Sequence, residues 1–265
     1  MFAKKIMRRA FIIGSFCLII THALLAQQEL PESPSIYKIP EELLAGEGLK
    51  SIEQADPSRK VYQKKVYDGK DLAIYMVAIG TGITNEFESF PMEEFIFWIN
   101  GKAVVEPANE PPFEVHSGDY FVQAKGFHGK WNFVDNGGLH LELALVAKNR
   151  PDSTVKSLIS RALVIDRDII SGVSELTYEK EVVYEGVELT VNMLRSRELV
   201  FENLSQERMI HLLSGVLTIT SKDDNSKQHF YPGDFLVIPE GFSGTLSSNS
   251  LQAPRVIEVF KTKGS

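Results

Sequence analysis

The sequence is short of cysteine, of positive charge and of familiar catalytic motifs. Its 265 residues include one cysteine, Cys17, which excludes a disulfide framework and a cysteine-rich metal site. The 28 Lys and Arg are outnumbered by 35 Asp and Glu, so we expect no binding to nucleic acid or to an anionic membrane surface. The chain has no phosphate-binding loop, dinucleotide fingerprint or Gly-X-Ser-X-Gly elbow. These absences argue against the corresponding enzyme classes.

The one long apolar run stands at the start of the chain. Four basic residues precede "AFIIGSFCLIITHALLA", which contains no acidic residue and ends at Ala26. This pattern predicts a secretory signal peptide over residues 1–26, with an uncleaved anchor helix as the alternative. Cleavage after Ala26 would remove Cys17. We therefore expect an exported protein, periplasmic or secreted, without stable membrane insertion after cleavage.

The rest of the chain follows a β pattern. After a polar lead-in over residues 27–59, in which "PEELLAG" suggests a short helix, the sequence contains stretches such as "DLAIYMVAI", "LHLELALV" and "DFLVIP". They are short, rich in β-branched and aromatic residues, and separated by Gly, Pro, Asn or Asp, as strands are. The sequence predicts an all-β protein.

The pattern of strands occurs twice in the sequence. "VYDGKDLAIYMV" at Val66 matches "VYEGVELTVNML" at Val183, and "EEFIFWINGKAVV" at Glu93 matches "ERMIHLLSGVLTI" at Glu207. The separations of 117 and 114 residues keep the strand order while loop lengths differ. We interpret this as a tandem duplication of a small β-barrel. The predicted domains cover residues 60–149 and 176–262, joined by a linker over residues 150–175.

Each copy contains a motif with glycines at matching positions. "HSGDYFVQAKGFHG" begins at His116 and "YPGDFLVIPEGFSG" begins at Tyr231. The Gly-Asp pairs at 118–119 and 233–234 predict tight turns, in which glycine adopts an unusual backbone angle and aspartate bonds its own turn.

The motifs resemble those of the cupin jelly roll. Glu94, then Gly101, then Gly118-Asp119 and Gly126 follow the cupin spacing, and "GDFLVIPEGFSG" is similar to the variant in cupins of the ureidoglycine aminohydrolase kind. The first copy departs from that variant with Ala124 in place of proline. The resemblance implies two tandem cupin barrels after the signal peptide. It says little about function, because cupins include hydrolases, isomerases, dioxygenases and sugar binders.

The resemblance also defines where a metal would be held. Metal-binding cupins use two histidines and a glutamate from the first motif and a third histidine from the second. In the first copy Glu94 matches the glutamate, whereas the histidine positions fall on Glu88, Phe90 and Gly129. In the second copy Arg208 stands at the glutamate position and Gly244 at the last histidine. We therefore expect no transition metal and no cofactor.

The alternation of side chains along strands indicates further candidate residues for the barrel interiors. Trp98 shares a face with Glu94, and Trp131 has the parity of Gly129, so both tryptophans line or plug the first barrel. Arg208 shares a face with Ile210 and Leu212 and is expected to point into the second barrel, where it would suit an acidic group.

For two histidines the sequence allows both a functional and a structural role. In "GLHLELALV", His140 and Glu142 share one face, which either lines a pocket or is solvated; the pattern favours the solvated face. His211 lies on the opposite face from Arg208, which favours a packed or interface histidine over a ligand.

Three functions remain as hypotheses. The favoured one is a binding protein for a small polar or acidic molecule; the alternatives are a metal-dependent hydrolase resembling ureidoglycine aminohydrolase and a scaffold with filled barrels. A homo-oligomer also stays open. The candidate ligand-binding residues are Glu88, Glu94, Trp98, Trp131, His140, Glu142 and Arg208.

Overall fold

The computed structural model describes residues 35–54, 59–134, 138–150, 162–172 and 179–263. The predicted signal peptide lies outside these ranges. Within them, no helix is long and apolar enough to cross a membrane. The regular secondary structure of the described chain is almost wholly β-strand, as the sequence predicted.

The first half of the chain contains one short helix and eleven strands among its described residues. In chain order they are β1 Tyr37–Lys38, α1 Glu41–Leu44, β2 Lys50–Ile52, β3 Val61–Asp68, β4 Leu72–Gly80, β5 Thr84–Phe87, β6 Glu94–Asn100, β7 Lys102–Pro107, β8 Phe113–His116, β9 Tyr120–Gln123, β10 Gly129–Phe133 and β11 Leu139–Ala147.

The second half repeats this order except for β2, which has no counterpart among its described residues. Its described elements are β12 Ala162–Val164, α2 Arg167–Ser171, β13 Lys180–Glu185, β14 Leu189–Arg195, β15 Glu198–Phe201, β16 Arg208–Ser214, β17 Leu217–Ser221, β18 Lys227–Phe230, β19 Phe235–Ile238, β20 Gly244–Ser247 and β21 Arg255–Lys261.

Each half of the repeat closes around its own core as a pair of antiparallel sheets. Barrel 1 consists of the sheets β12-β9-β6-β11-β4-β3-β2 and β5-β10-β7-β8. Barrel 2 consists of the sheets β1-β19-β16-β21-β14-β13 and β15-β20-β17-β18. Every strand pair between described residues is antiparallel, because the strands follow one another through hairpins and longer returns.

The lead-in and the linker both enter the opposite barrel. The lead-in strand β1 pairs with β19 of barrel 2, and the linker strand β12 pairs with β9 of barrel 1. The two attachments are equivalent, since Ile39 donates its N–H to the Phe235 carbonyl and Ile165 donates to the Tyr120 carbonyl, each at 2.8 Å. These segments, which the sequence analysis treated as connections, are therefore structural parts of the barrels.

The Gly-Asp turns hold these crossing segments in place. Gly118 and Gly233 have φ angles of +91° and +98°, which only glycine adopts without strain. Each following aspartate accepts a backbone N–H of its own turn, as predicted. Asp119 also pairs with Arg167 of the linker at 2.5 Å, and Asp234 pairs with Lys38 of the lead-in at 2.7 Å.

The two large sheets are buried on both faces. One face of each covers the interior of its own barrel, and the other packs against the opposite barrel in a shared core that includes Leu143, Leu145, Met193 and Val259. Double burial explains why β4 is nearly continuous in apolar residues. The core between the barrels makes the two halves one packing unit.

Two buried glutamates fasten each barrel to a hairpin of the other. Glu93, just before β6, accepts the backbone N–H groups of residues 187–189 at the β13–β14 turn, at 2.8–2.9 Å. Glu207, just before β16, accepts those of residues 70–72 at the β3–β4 turn, at 2.6–3.0 Å. Charge-assisted bonds of this kind are among the stronger hydrogen bonds in proteins. We call this pair the crossed clamps.

Candidate functional site

The interior of barrel 1 is packed with aromatic rings. Trp98 of β6 stacks on Trp131 and Phe133 of β10, with ring centroids 5.9 and 6.0 Å apart. Phe121 of β9 contacts Trp131 at 4.9 Å. Trp98 and Trp131 are 0% and 3% exposed, so both tryptophans lie inside the barrel, where strand alternation placed them.

His140 and Glu142 also face this interior, and the favoured expectation of a solvated face was wrong. His140 is 0% exposed and makes edge contacts with Trp98 at 5.3 Å and with Phe133 at 5.0 Å. Glu142 is 8% exposed. The error arose because the alternating leucines of β11 pack against barrel 2, so this strand has no solvated face over most of its length.

Two carboxyl groups belong to the same interior. Burial raises the pKa of Glu94 to about 7, although Arg150 acts in the opposite direction. Burial raises the pKa of Glu142 well above its usual value, and the nearby Glu94 adds to the rise. As a whole residue Glu94 is half-buried, whereas Glu142 is buried. Both causes favour the protonated form of Glu142, which can donate as well as accept a hydrogen bond.

Several buried polar atoms of barrel 1 lack a hydrogen-bond partner among the described residues. Five such groups are Asn85 Oδ1, Trp98 Nε1, Gln123 Nε2, Trp131 Nε1 and one ring nitrogen of His140. Burial lowers the pKa of His140, opposed by a hydrogen bond between one ring nitrogen and the Val134 backbone, so the ring is neutral. Leaving such groups unpaired costs about 1–3 kcal/mol each, and native proteins normally satisfy them with protein, water or ligand atoms.

We call the residues that carry these unpartnered atoms the polar cluster. The sequence analysis missed two of them. Gln123 has the same strand parity as Phe121 on β9, so alternation alone would have pointed it inward. Asn85 lies on the short strand β5 and is 5% exposed, and no sequence pattern marks its direction. Glu88, proposed from the motif alignment, is exposed in the loop after β5 and is separate from the cluster.

The metal-ligand positions of barrel 1 are closed by phenylalanine. A Cβ on Gly129 would lie 2.5 Å from the Glu106 carbonyl oxygen and 2.8 Å from Phe127 Cζ, so no histidine fits there. Phe90, at another histidine position, is buried against Phe87 and the rest of the core. With Glu94 left as the only one of the family's ligands, the donors present do not fit a transition metal.

Barrel 2 is filled with aliphatic side chains and one ion-pair network. Arg208 bonds the buried Glu258, which also accepts from Asn192 Nδ2 at 2.8 Å. The guanidinium lies 4.9 Å from the Phe260 ring. Arg208 thus turns away from bulk solvent, in the direction expected from parity, but its charge is already matched by Glu258. A cavity of about 10 Å³ beside Leu194 and Leu246 leaves room for about one water.

Gly244 repeats the arrangement of Gly129. A Cβ there would lie 2.5 Å from the Thr220 carbonyl oxygen and 2.6 Å from Phe242 Cζ. Both copies of the Gly-Phe-X-Gly motif therefore place a buried phenylalanine over the glycine. The same contact excludes a histidine at this motif position in both barrels.

The comparisons with known proteins define the class of fold. Residues 81–136 and 201–251 match the sequence profile of the EutQ-like cupin domain, one segment in each barrel. No curated protein matches the sequence. The architecture and these two matches make the chain an all-β protein with two tandem cupin barrels.

Solved structures share the two-barrel arrangement at low sequence identity. A protein of unknown function from Pseudomonas syringae pv. tomato has a TM-score of 0.59 at 16% identity, with 86% of this chain and 99% of that chain covered. Protein Ylba from E. coli has a TM-score of 0.59 at 14% identity, covering 91% and 97%. A cupin 2 conserved barrel domain protein from Leptotrichia buccalis has a TM-score of 0.54 at 12% identity, covering 80% and 92%. The likeness defines the fold.

Proposed function

We propose that this two-barrel cupin protein binds a small, neutral, polar organic molecule inside barrel 1. The observation that carries the proposal is the set of unpartnered polar atoms on Trp98, Trp131 and His140, together with Asn85, which lies opposite Trp131 on the neighbouring strand. Indole N–H groups only donate, so a bound molecule must offer an acceptor oxygen or nitrogen. Neutral His140 supplies a donor and an acceptor, and so does Glu142 in the protonated form that its burial favours.

The charges of the site favour a neutral ligand over the acidic one included in the sequence-based hypothesis. An anion in barrel 1 would meet the carboxyl group of Glu94, which is partly ionised at neutral pH. The cation expected to attract an acid, Arg208, is in the other barrel and is paired with Glu258. Like charges in a poorly solvated site repel strongly, so carboxylates should be rejected.

The alternatives receive less support. A metal-dependent hydrolase resembling ureidoglycine aminohydrolase needs converging histidines, and the positions that would carry them hold Phe90 and Gly129. A pure scaffold accounts for the apolar interior of barrel 2 but leaves the polar cluster of barrel 1 unexplained. We also propose export of the protein, supported by the basic start and the apolar run that ends at Ala26.

Matched amide and acid pairs test the ligand class. We expect acetamide and lactamide, at millimolar concentrations, to raise the melting temperature, and acetate and lactate to leave it unchanged. Trp131→Phe keeps a ring but removes one N–H, and should weaken amide binding about three- to tenfold in calorimetry, the size of one neutral hydrogen bond. His128→Asn, on the exposed side of the same barrel, serves as the control. Equal binding of acids and amides, or no effect of Trp131→Phe, would reject the proposal.

Elemental analysis separates the binding protein from the hydrolase. We expect no stoichiometric manganese, iron, nickel or zinc in protein purified without chelator. One equivalent of such a metal per chain, lost in Glu94→Ala, would favour the hydrolase instead.

A further inference from the structure

A groove lies between the two barrels, away from the polar cluster of barrel 1. Its volume is about 380 Å³, within the range of small-molecule sites. Equivalent positions of the two copies contribute in pairs to its lining, namely Leu44 and Ile170, Phe97 and His211, and Tyr120 and Phe235. The groove is thus apolar and aromatic, with one imidazole.

His211 is a buried polar group on this lining. It is 3% exposed, as the expectation of a packed or interface histidine required, and its ring stacks on Phe235 with centroids 3.7 Å apart. Nδ1 lies 3.2 Å from the Asp234 carbonyl oxygen. Because a carbonyl only accepts, Nδ1 carries the hydrogen of this bond.

The hydrogen on Nδ1 determines what Nε2 can do. Burial lowers the pKa of His211 to about 3, so the ring is neutral and Nε2 presents a lone pair. No described residue donates to Nε2. The rings of Phe97 and Tyr120 lie 5.5 and 5.6 Å from the His211 ring, and the Tyr120 hydroxyl forms no hydrogen bond with a described residue. A ligand in the groove would meet aromatic walls and one acceptor.

We propose that this groove binds a small, mainly apolar aromatic molecule whose O–H or N–H group donates to His211 Nε2. Phenols and indoles have this chemistry. The aromatic side chains from both barrels supply the apolar area, and the imidazole supplies direction, the combination found in most small-molecule pockets. This site is separate from the one proposed in barrel 1, and the two proposals are tested independently.

The test compares two probes that differ in one donor. 2-Naphthol carries a hydroxyl group, and 2-methoxynaphthalene is similar in shape but cannot donate. In isothermal titration calorimetry of the full chain we expect one saturable site, with 2-naphthol binding about fivefold or more tightly, as one hydrogen bond implies. His211→Phe should abolish this preference while leaving 2-methoxynaphthalene binding within about twofold. The Asp234 carbonyl keeps the N–H of Leu212 as a partner in that variant, which favours intact folding.

A second variant and a control complete the test. Leu213→Trp should fill the groove and weaken both probes about tenfold, whereas His128→Asn should change neither. No saturable binding, or an equal preference for 2-naphthol in wild type and His211→Phe, would overturn the proposal. So would a dimer in analytical ultracentrifugation that dissociates in Leu213→Trp, because the groove would then be covered by a second copy of the chain.

Discussion

Glu94 is a residue whose ionisation opposes folding. Its pKa of about 7 in the folded protein lies above the 4.5 of an unperturbed glutamate, so between these values the folded chain holds a proton that the unfolded chain releases. The contribution of Glu94 to stability is therefore complete below about pH 4.5, falls as the pH rises, and levels off above about pH 7. Glu142, whose pKa is also raised, adds to the loss in the same direction.

Glu94→Gln should remove the part of this loss that belongs to Glu94. We expect the variant to gain about 1–2 kcal/mol relative to wild type between pH 5 and pH 8, a figure reduced for the partial exposure of the side chain. Urea unfolding at both pH values measures the difference. Glu198→Gln, at an exposed site, should gain nothing. A constant difference between Glu94→Gln and wild type across this range would contradict the raised pKa.

Gly244 is required for the space it leaves, since its φ angle is not in the region that favours glycine. Gly244→Ala would press a methyl group against the Thr220 carbonyl and the Phe242 ring, and should destabilise the protein by about 2–4 kcal/mol. Gly82→Ala is a useful contrast, because Gly82 has a φ of +73° but open space around it. We expect about 1 kcal/mol of backbone strain there. Chemical denaturation that ranks Gly82→Ala as the more damaging change would contradict the close-packing explanation.

At the scale of the elements, the crossed clamps join each barrel to a hairpin of the other. Glu93→Ala would leave the buried N–H groups of residues 187–189 without acceptors, at a cost of about 2–4 kcal/mol. Amide hydrogen exchange should accelerate at this turn before it does elsewhere in barrel 2. Glu202→Ala removes an exposed carboxylate near the other clamp and should change neither quantity. Unchanged protection of residues 187–189 in Glu93→Ala would show that the clamp contributes little.

The crossing strands β1 and β12 also join each barrel to the other. Each barrel takes an edge strand from the segment that precedes the other barrel, so the edges of β9 and β19 are covered. Covered edges protect a sheet from pairing with other chains. The short helices that follow, α1 and α2, then line the groove that contains His211.

For the whole molecule, the shared core predicts a single cooperative unfolding transition. Both tryptophans of the sequence lie in barrel 1, so tryptophan fluorescence reports on that barrel alone. Ile238→Ala creates a cavity in the core of barrel 2 and should destabilise the protein by about 2–4 kcal/mol. We expect the fluorescence midpoint in urea to fall together with the midpoint from circular dichroism.

The control for this prediction is Val216→Ala, an exposed site of barrel 2 that should shift neither midpoint. A tryptophan transition that stays at the wild-type midpoint in Ile238→Ala would mean that the barrels unfold independently. That result would limit the crossed clamps and the shared core to docking two domains that are stable alone.

Local patterns in the sequence were sufficient to predict the architecture and part of the candidate site. The duplicated motifs predicted two barrels of the cupin kind, and the Gly-Asp turns formed as expected at residues 118–119 and 233–234. Strand alternation correctly placed Trp98, Trp131 and Arg208 toward barrel interiors. These results share a physical reason, because turn chemistry and the two-residue repeat of a strand depend on neighbours along the chain.

Only the tertiary structure decided what covers each strand face. Alternation separated His140 and Glu142 from the leucines of β11, but both faces are buried, one by the rings of barrel 1 and one by barrel 2. The exchange of β1 and β12, the pairing of Arg208 with Glu258, and the position of His211 beside Tyr120 likewise join residues far apart in sequence. Such contacts form where folded surfaces meet, so the sequence determined which side chains share a face, and the packing of one barrel on the other determined their surroundings.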